Sequence, residues 1–262
     1  MTNDAGRWPG LRLERADGIV WLVIDRPARR NAIDRLTRRS LVDATVALEA
    51  DSEAQVLVIT GSGSAFCAGT DQTEPPEDAR FPPFRGPLPR ITAWLDGITK
   101  PVIAAVNGPA MGGGFEIVLA SDIRVASTEA RFGLPEVGMG TLPASGGTQR
   151  LFSALPSAIA WKMLFTGQSI DAREAYRVGL VSDVVAPEQL RPCVEGIARA
   201  IVENAPLSIR AAKLAGRSAL DRGLNSGLEL EGALWGFLKG TEDRAEARTA
   251  FRDKRRPHFR GR

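Results

Sequence analysis

Asn107-Gly108-Pro109-Ala110-Met111-Gly112-Gly113-Gly114-Phe115-Glu116 is the stretch of sequence that decides the fold of this chain. The apolar residues 101–106 precede it, and their number and β-branched content predict a buried strand. Residues 115–120 follow with the apolar pattern of a buried helix. Three successive glycines between the two let the backbone approach a ligand and leave N–H groups free. The positive end of the helix dipole lies there too, so the stretch predicts a site that favours negative charge.

Two glutamates stand in apolar, glycine-rich surroundings. Glu116 begins the predicted buried helix, and Glu136 lies between Leu134-Pro135 and Val137-Gly138. For either acid alone, a buried ion pair or a helix cap is the favoured interpretation. Two carboxylates in one dry site titrate at separated pKa values, so that one stays protonated while the other is ionised. The pair therefore predicts general acid/base chemistry.

The small-residue turn at 65–71 offers a second source of backbone amides. On its own, this turn has two equally good interpretations. It is either a tight packing corner or a segment whose N–H near Thr70 points into a site. Together with the glycines at 112–114 it would supply two converging amides, an oxyanion hole in which one donor is typically worth ~3 kcal/mol of barrier. Residues 61–66, Gly-Ser-Gly-Ser-Ala-Phe, match the dinucleotide-binding motif poorly, because Phe66 stands where that motif needs its last glycine.

Composition excludes several classes of protein. The chain has 262 residues, of which 44% are hydrophobic and 25% charged, as in an ordinary globular protein. His258 is the only histidine, so a Ser-His-Asp or Cys-His unit has no plausible base. The only cysteines, Cys67 and Cys193, are predicted to be reduced thiols, and we expect no metal site. No apolar run approaches the ~20 residues of a membrane helix, and the N-terminus has no targeting pattern, so we expect a cytoplasmic protein.

The last twelve residues, 251–262, form a basic tail with six Arg or Lys and one Asp. Such a tail would suit phosphates, but an end that is solvated or contacts another subunit is the favoured interpretation. We therefore expect no nucleic-acid partner.

Strand patterns are concentrated early in the chain and helix patterns late. Ala16-Asp17-Gly18 predicts a hairpin turn between strands at 11–14 and 20–24. A helix is predicted at about 33–50, a buried strand at 55–60, a proline-rich loop at 73–90, and helices from about 155 onward. This order predicts an α/β protein with a helical C-terminal part.

The chain resembles the enoyl-CoA hydratase (crotonase) family over nearly its full length. The resemblance rests on Arg26-Pro27, Asn31-Ala32, Ala65 to Asp71, Lys100 to Gly108, Gly112 to Glu116, Phe132 to Glu136, Gly146 to Leu151, and the ending Lys254-Arg255-Arg256-Pro257 with Phe259. It implies a crotonase-like spiral of ββα units with an acyl-CoA site in residues 1–195, and helices at 196–262 that assemble a homotrimer or a hexamer. Coenzyme A would be part of the substrate, with no separate cofactor.

The resemblance also implies the site residues. The amides of the oxyanion hole fall on Thr70 and Gly113, and the two catalytic glutamates fall on Glu116 and Glu136. The residues implied to contact coenzyme A are Ala28, Arg29, Arg30, Ala68, Asp71 and Gln72. Gln72 departs from the apolar residue usual in the family, and Ala144 stands where the hydratases usually have glycine.

The implied reaction is hydration of a trans-2-enoyl-CoA to the 3-hydroxyacyl-CoA. Glu116 would take a proton from the attacking water and Glu136 would deliver one to C2. Three alternatives stay open: double-bond isomerisation or another crotonase-fold reaction, a catalytically silent acyl-CoA-binding protein, and an RNA-binding protein that uses its C-terminal arginines. Acyl chain length, pathway, the choice between trimer and hexamer, and whether the loop at 73–90 is a mobile lid also stay open.

Overall fold

A computed structural model describes residues 2–3, 7–74, 90–221 and 223–262, so most of the predicted proline-rich loop at 73–90 lies outside the described residues. The strands are β1 (Thr2–Asn3), β2 (Leu11–Ala16), β3 (Ile19–Ile24), β4 (Val56–Gly61), β5 (Val102–Val106), β6 (Ala110–Met111), β7 (Ile123–Ser127), β8 (Arg131–Gly133), β9 (Ile170–Asp171) and β10 (Asp183–Val185). The helices are α1 (Arg35–Ala50), α2 (Ala93–Asp96), α3 (Gly113–Ala120), α4 (Gly147–Ala154), α5 (Ser157–Thr166), α6 (Ala172–Arg177), α7 (Pro187–Val202), α8 (Pro206–Asp221), α9 (Leu224–Leu238) and α10 (Glu242–Asp253), with 3-10 helices at Pro27–Arg29 and Pro135–Met139.

A large sheet with the strand order β1-β2-β3-β4-β5-β7-β10 forms the body of the protein. β2 and β3 are the predicted antiparallel hairpin, and Asp17 and Gly18 at its turn have φ of 50° and 77°, as a two-residue hairpin turn requires. The other neighbours from β3 to β10 pair in parallel. All six residues of β3 are buried, which explains why this strand reads as a continuous apolar run.

A second, smaller set of extended segments runs alongside the large sheet. β6 pairs with β8 in parallel, β8 pairs with β9, and Cys67 forms an isolated bridge to Ala110 of β6. Three strands of the large sheet are each followed by a segment of this second set and then by the next described helix. These runs are β4, residues 65–70 and α2, then β5, β6 and α3, then β7, β8 and α4. This repeated ββα order confirms the predicted α/β architecture.

The core lies on both faces of the large sheet. Leu22 of β3 belongs to the large cluster between the sheet, the second set of segments and the early helices. Trp21, on the opposite face of β3, packs in a second cluster with Val194 and Ala198 of α7. The predicted boundary between residues 195 and 196 thus falls inside a continuous helix that packs on the sheet, and the division into two regions stays a prediction.

Several element ends differ from those predicted. α1 begins at Arg35 rather than near Ile33, because the Asp34 side chain accepts the Thr37 N–H at 2.7 Å and caps the helix. β6, β9 and β10 were not predicted, since strands of two or three residues carry no recognisable periodicity. Among the described residues, none of the helices combines the length and the apolar character needed to cross a bilayer.

Candidate active site

Backbone hydrogen bonds hold residues 65–70 beside the glycine-rich turn that leads into α3. The Cys67 N–H donates to the Pro109 carbonyl at 3.2 Å, and the Met111 N–H donates to the Cys67 carbonyl at 2.9 Å. Because the two segments run in parallel at the Cys67–Ala110 bridge, the residues that follow each of them lie close together.

The segment that carries Thr70 touches the start of α3 at Gly113. Gly69 has φ of +94°, and a Cβ atom there would lie 3.1 Å from the Gly113 nitrogen, so the two segments touch at this point. At the bridge between Ile33 and Thr70, the Ile33 N–H donates to the Gly69 carbonyl and the N–H of the residue after Thr70 donates to the Ile33 carbonyl. The Thr70 N–H takes no part in this pairing and points away from Ile33. Gly113 is the first residue of α3 and its N–H has no partner within the helix. Within the described part of the chain, no acceptor meets either N–H.

Glu116 is buried in the first turn of α3 with only 3% of the residue exposed. Its Oε1 accepts the N–H of Ser145 at 2.7 Å and the N–H of Gly147 at 2.8 Å. Burial raises the pKa of Glu116, while these two N–H groups and the charge of Arg150 act in the opposite direction. The carboxylate is therefore held by one oxygen, and its ionised form is partly stabilised.

Glu136 lies in the 3-10 helix Pro135–Met139 and faces the same glycine-rich turn. A Cβ atom on Gly112 would lie 2.9 Å from the Glu136 Oε1. The Glu136 Oε2 is buried and has no hydrogen-bond partner among the described residues. Burial raises the pKa of Glu136, its own backbone N–H acts in the opposite direction, and the negative charge of Glu116 raises the pKa further.

The two carboxyl groups have unequal surroundings. Glu116 has two N–H donors and a nearby arginine, whereas Glu136 has an unpartnered oxygen and a neighbouring acid. Burial acts on both carboxyl groups, but the N–H donors that favour the ionised form are concentrated at Glu116. Such a pair can accept a proton at one oxygen and donate a proton from another, next to two free amides.

The predicted coenzyme A loop is joined to the segment that carries Thr70. Arg30 ends the 3-10 helix Pro27–Arg29 with φ of 50°, and its carbonyl accepts the Ala68 N–H at 3.0 Å. Five of the six residues predicted to contact coenzyme A are exposed on this side of the site, namely Ala28, Arg29, Arg30, Ala68 and Gln72. Their role in binding coenzyme A stays a prediction.

Asp71 differs from these five because its side chain is buried within the protein. Its carboxylate lies 3.1 Å from the Arg26 guanidinium and accepts the Thr73 hydroxyl at 2.7 Å and the Thr73 N–H at 3.1 Å. The hydrogen bonds from Thr73, helped by Arg26, lower the pKa of Asp71. The carboxylate therefore stabilises the turn after Thr70 and is already occupied by internal partners.

Asn31 anchors the loop that sequence reasoning treated only as part of a resemblance. It is fully buried and has φ of 57°, a conformation that asparagine tolerates better than most residues. Its side-chain nitrogen donates to the Ser62 carbonyl at 2.8 Å and to the Ala65 carbonyl at 2.7 Å, and its Oδ1 accepts the Arg26 N–H at 3.0 Å.

We expect Asn31→Ala to lower the free energy of unfolding by about 2–4 kcal/mol, because buried backbone groups lose their partners. Urea unfolding followed by circular dichroism measures the change. Asn204→Ala is the matched control, since Asn204 is exposed and its side chain donates only to the Ala200 carbonyl. An Asn31→Ala midpoint equal to that of the control would contradict the anchoring role.

The N–H donors of Ser145 and Gly147 at Glu116 were not anticipated as parts of the site. Ser145 lies 29 residues beyond Glu116 along the chain, and no local pattern links the two. The motif at 146–151 was recognised only as a family match, although its glycines are the feature that points to a close backbone approach. A Cβ atom on Gly147 would lie 3.0 Å from the Glu116 Oε1.

The chain is similar to known proteins over nearly its whole length. Residues 14–262 match the family model described as enoyl-CoA hydratase/isomerase. The (E)-benzylidenesuccinyl-CoA hydratase of Thauera aromatica is 41% identical, over 95% of this chain and 98% of that protein. The 2,3-dehydroadipyl-CoA hydratase of Escherichia coli is 39% identical, over 96% of this chain and 99% of that protein. The crystal structure of an enoyl-CoA hydratase from Bacillus anthracis superposes with a TM-score of 0.88 at 30% identity, and covers 97% of this chain and 100% of that one.

Proposed function

The chain belongs to the enoyl-CoA hydratase/isomerase family and has the crotonase fold, and we propose that it hydrates a trans-2-enoyl-CoA to the 3-hydroxyacyl-CoA. The observation that carries the proposal is the meeting of two carboxyl groups in unequal surroundings with two backbone amides at one glycine-rich turn. The reaction is reversible, so the same site dehydrates the product.

The Thr70 and Gly113 amides act as the oxyanion hole in this proposal. As water adds at C3, electron density moves from the 2,3 double bond to the thioester oxygen, which takes on enolate character. Two N–H groups aimed at that oxygen stabilise the developing charge more than the neutral carbonyl, so they lower the barrier. The start of α3 adds the positive end of its dipole at the same position.

Glu116 and Glu136 divide the proton transfers between them. The ionised Glu116 takes one proton from the water while the water oxygen forms its bond to C3. The protonated Glu136 then gives its proton to C2, which converts the enolate to the saturated thioester. Support for this division comes from the two N–H donors at Glu116 and from the unpartnered oxygen of Glu136.

The surroundings of the site are proposed by the same reasoning. Coenzyme A, which enters as part of the substrate, would lie along the exposed loop at 28–30 and the segment at 68–72, and the reaction calls on neither a metal nor a redox cofactor. We also propose a cytoplasmic homotrimer or hexamer. Exposed large apolar side chains in the C-terminal helices support an interface between copies, and they are Leu220, Leu224, Leu228, Trp235 and Phe237.

A panel of enoyl-CoA thioesters tests the proposal and reports the acyl preference. It runs from crotonyl-CoA to long chains and includes an acyl group with a second carboxylate and one with an aryl ring. We expect at least one thioester to lose its enoyl absorbance and yield a 3-hydroxyacyl-CoA, and Glu116→Gln to abolish that loss. If no member of the panel is hydrated, the proposed function is wrong.

The second candidate function is double-bond isomerisation, a reaction that one well-placed acid can carry. A 3-enoyl-CoA added to the same assay separates the two, because isomerisation creates enoyl absorbance and hydration removes it. The presence of both Glu116 and Glu136 favours hydration. Thioester binding with no turnover, unchanged in Glu116→Gln and Glu136→Gln, would instead indicate a silent acyl-CoA-binding protein. Retention of RNA that weakens with salt would indicate a nucleic-acid role for the basic tail.

A further inference from the structure

Ser145, whose N–H holds Glu116, is itself held on its other sides by three donors. Its hydroxyl accepts the Ile91 N–H at 2.8 Å. Its carbonyl accepts the Thr92 hydroxyl at 2.7 Å and an Nη1 hydrogen of Arg150 at 3.0 Å. Thr92 is fully buried and Ser145 nearly so, so no solvent competes for these bonds.

The turn at 145–147 has to keep one geometry to hold Glu116. The N–H groups of Ser145 and Gly147 both point at the same oxygen, Oε1, although they lie two residues apart. Gly146 between them has φ of +101°, a conformation that L side chains rarely adopt. A turn that relaxes therefore moves both donors together, and Glu116 regains rotational freedom about its side-chain bonds.

Arg150 acts on this turn in two ways. Its guanidinium lies over Gly146 and bonds the Ser145 carbonyl, and its Nη2 lies 2.9 Å from Asp96 Oδ1, which fixes its orientation. Its positive charge also favours the ionised form of Glu116. The charged group that acts on Glu116 is Arg150 from α4, and Glu116 in turn acts on Glu136 in the 3-10 helix Pro135–Met139.

We propose that Thr92 and Arg150 are positioning residues for the hydration, and that they hold the Ser145 turn so that Glu116 presents its Oε2 to the water. Neither residue touches the reacting atoms. The inference rests on the proposed function, since it concerns how the proposed base is oriented. A purely structural role would change the stability of the protein without a specific change in kcat.

Thr92→Val removes the hydroxyl, keeps the shape and leaves every charge in place. We expect kcat to fall about 10- to 100-fold, because a small misplacement of a catalytic group has effects of this size. KM should stay within about threefold, since ground-state binding of the thioester is untouched. The acid limb of the plot of kcat against pH should keep its position, because every charge is unchanged. Thr92→Ser, which retains the hydroxyl, should restore most of the rate.

Arg150→Met removes both the hydrogen bond and the charge. We expect a similar fall in kcat together with an acid limb that moves to higher pH, because the pKa of Glu116 rises once the cation is gone. Arg150→Lys keeps the charge and should hold the limb near its wild-type position while restoring only part of the rate. Carbon-13 titration of the Glu116 carboxyl, identified by its absence in Glu116→Gln, reads the same pKa without turnover.

Thr45→Val is the matched control for Thr92→Val. Thr45 is also buried and its hydroxyl also donates to a backbone carbonyl, but that carbonyl belongs to Leu41 in α1 and not to the Ser145 turn. We expect it to lose stability in urea while kcat stays near the wild-type value.

Two failures are distinguishable. A wild-type protein that hydrates no enoyl-CoA overturns the proposed function. If the wild-type protein does hydrate an enoyl-CoA, two results overturn the positioning role. One is a folded Thr92→Val variant with the kcat of the wild type, and the other is a Thr45→Val variant whose kcat falls as much as that of Thr92→Val. A pKa of Glu116 that is the same in Arg150→Met as in the wild type also overturns the role proposed for Arg150.

Discussion

Replacing Glu136 with glutamine is expected to lower kcat for hydration of an enoyl-CoA by about 10³-fold, within the range that general acid catalysis supplies. The amide keeps the shape of the side chain but has no proton acidic enough for C2. The Glu136 Oε2 has no partner in the described protein, so no neighbouring group there competes for a proton that it delivers. Glu116→Gln should cost activity of the same order, because the amide can accept the two N–H bonds yet take no proton from water.

The same Glu136→Gln change is expected to stabilise the folded protein at neutral and higher pH. Burial and the Glu116 charge raise the pKa of Glu136 above its ordinary value of 4.5. Between the unfolded and the folded pKa, the folded protein binds more protons than the unfolded chain, so the free energy of unfolding falls as pH rises. Glutamine carries no such penalty. The gain should be complete above the folded pKa and disappear as pH falls below the unfolded value.

Urea unfolding at several pH values, with kcat measured on the same preparations, tests both parts of this prediction. Glu129→Gln is the control, because Glu129 is exposed in the turn between β7 and β8. A Glu136→Gln variant that keeps kcat within about tenfold of wild type would show that the proton for C2 comes from another group. A stability gain that persists at low pH would show that the effect is not one of titration.

Gly114→Ala is expected to lower kcat about 10²- to 10³-fold by spoiling the oxyanion hole. A Cβ atom on Gly114 would overlap the Cys67 carbonyl oxygen, the group that accepts the Met111 N–H. The added methyl must push the first turn of α3 away from residues 65–70. That movement carries the Gly113 N–H away from the Thr70 N–H, so the two amides no longer converge on one oxygen.

The substitution should also lower the free energy of unfolding by about 1–3 kcal/mol, the usual cost of overpacking. The value of kcat is therefore to be measured at urea concentrations well below the unfolding transition and expressed per folded molecule. Gly196→Ala is the matched control, since Gly196 lies within α7 with open space around it, and the alanine should stabilise that helix. A folded Gly114→Ala protein with near wild-type kcat would contradict the role proposed for the Gly113 amide.

Much of the fold follows from local sequence signals. Asp17-Gly18 dictates the hairpin because few other residue pairs tolerate two positive φ angles in succession. The apolar run before Asn107 dictates a buried central strand, and the proline at position 187 begins α7 because its φ is set for a helix start. β6, β9 and β10 escaped prediction because their pairing is set by neighbouring strands and not by their own residues.

The sequence by itself determined that two acids stand in apolar surroundings, that glycines open the central helix, and that the chain resembles one family. Only the tertiary structure decided that Gly69 lies against the Gly113 nitrogen, that the turn at 145–147 donates two hydrogen bonds to Glu116, and that Asp71 turns inward to Arg26. The physical reason is that local patterns fix a residue's own backbone and burial. Contacts between residues far apart along the chain are fixed by sheet register and helix packing, which no short stretch of sequence contains.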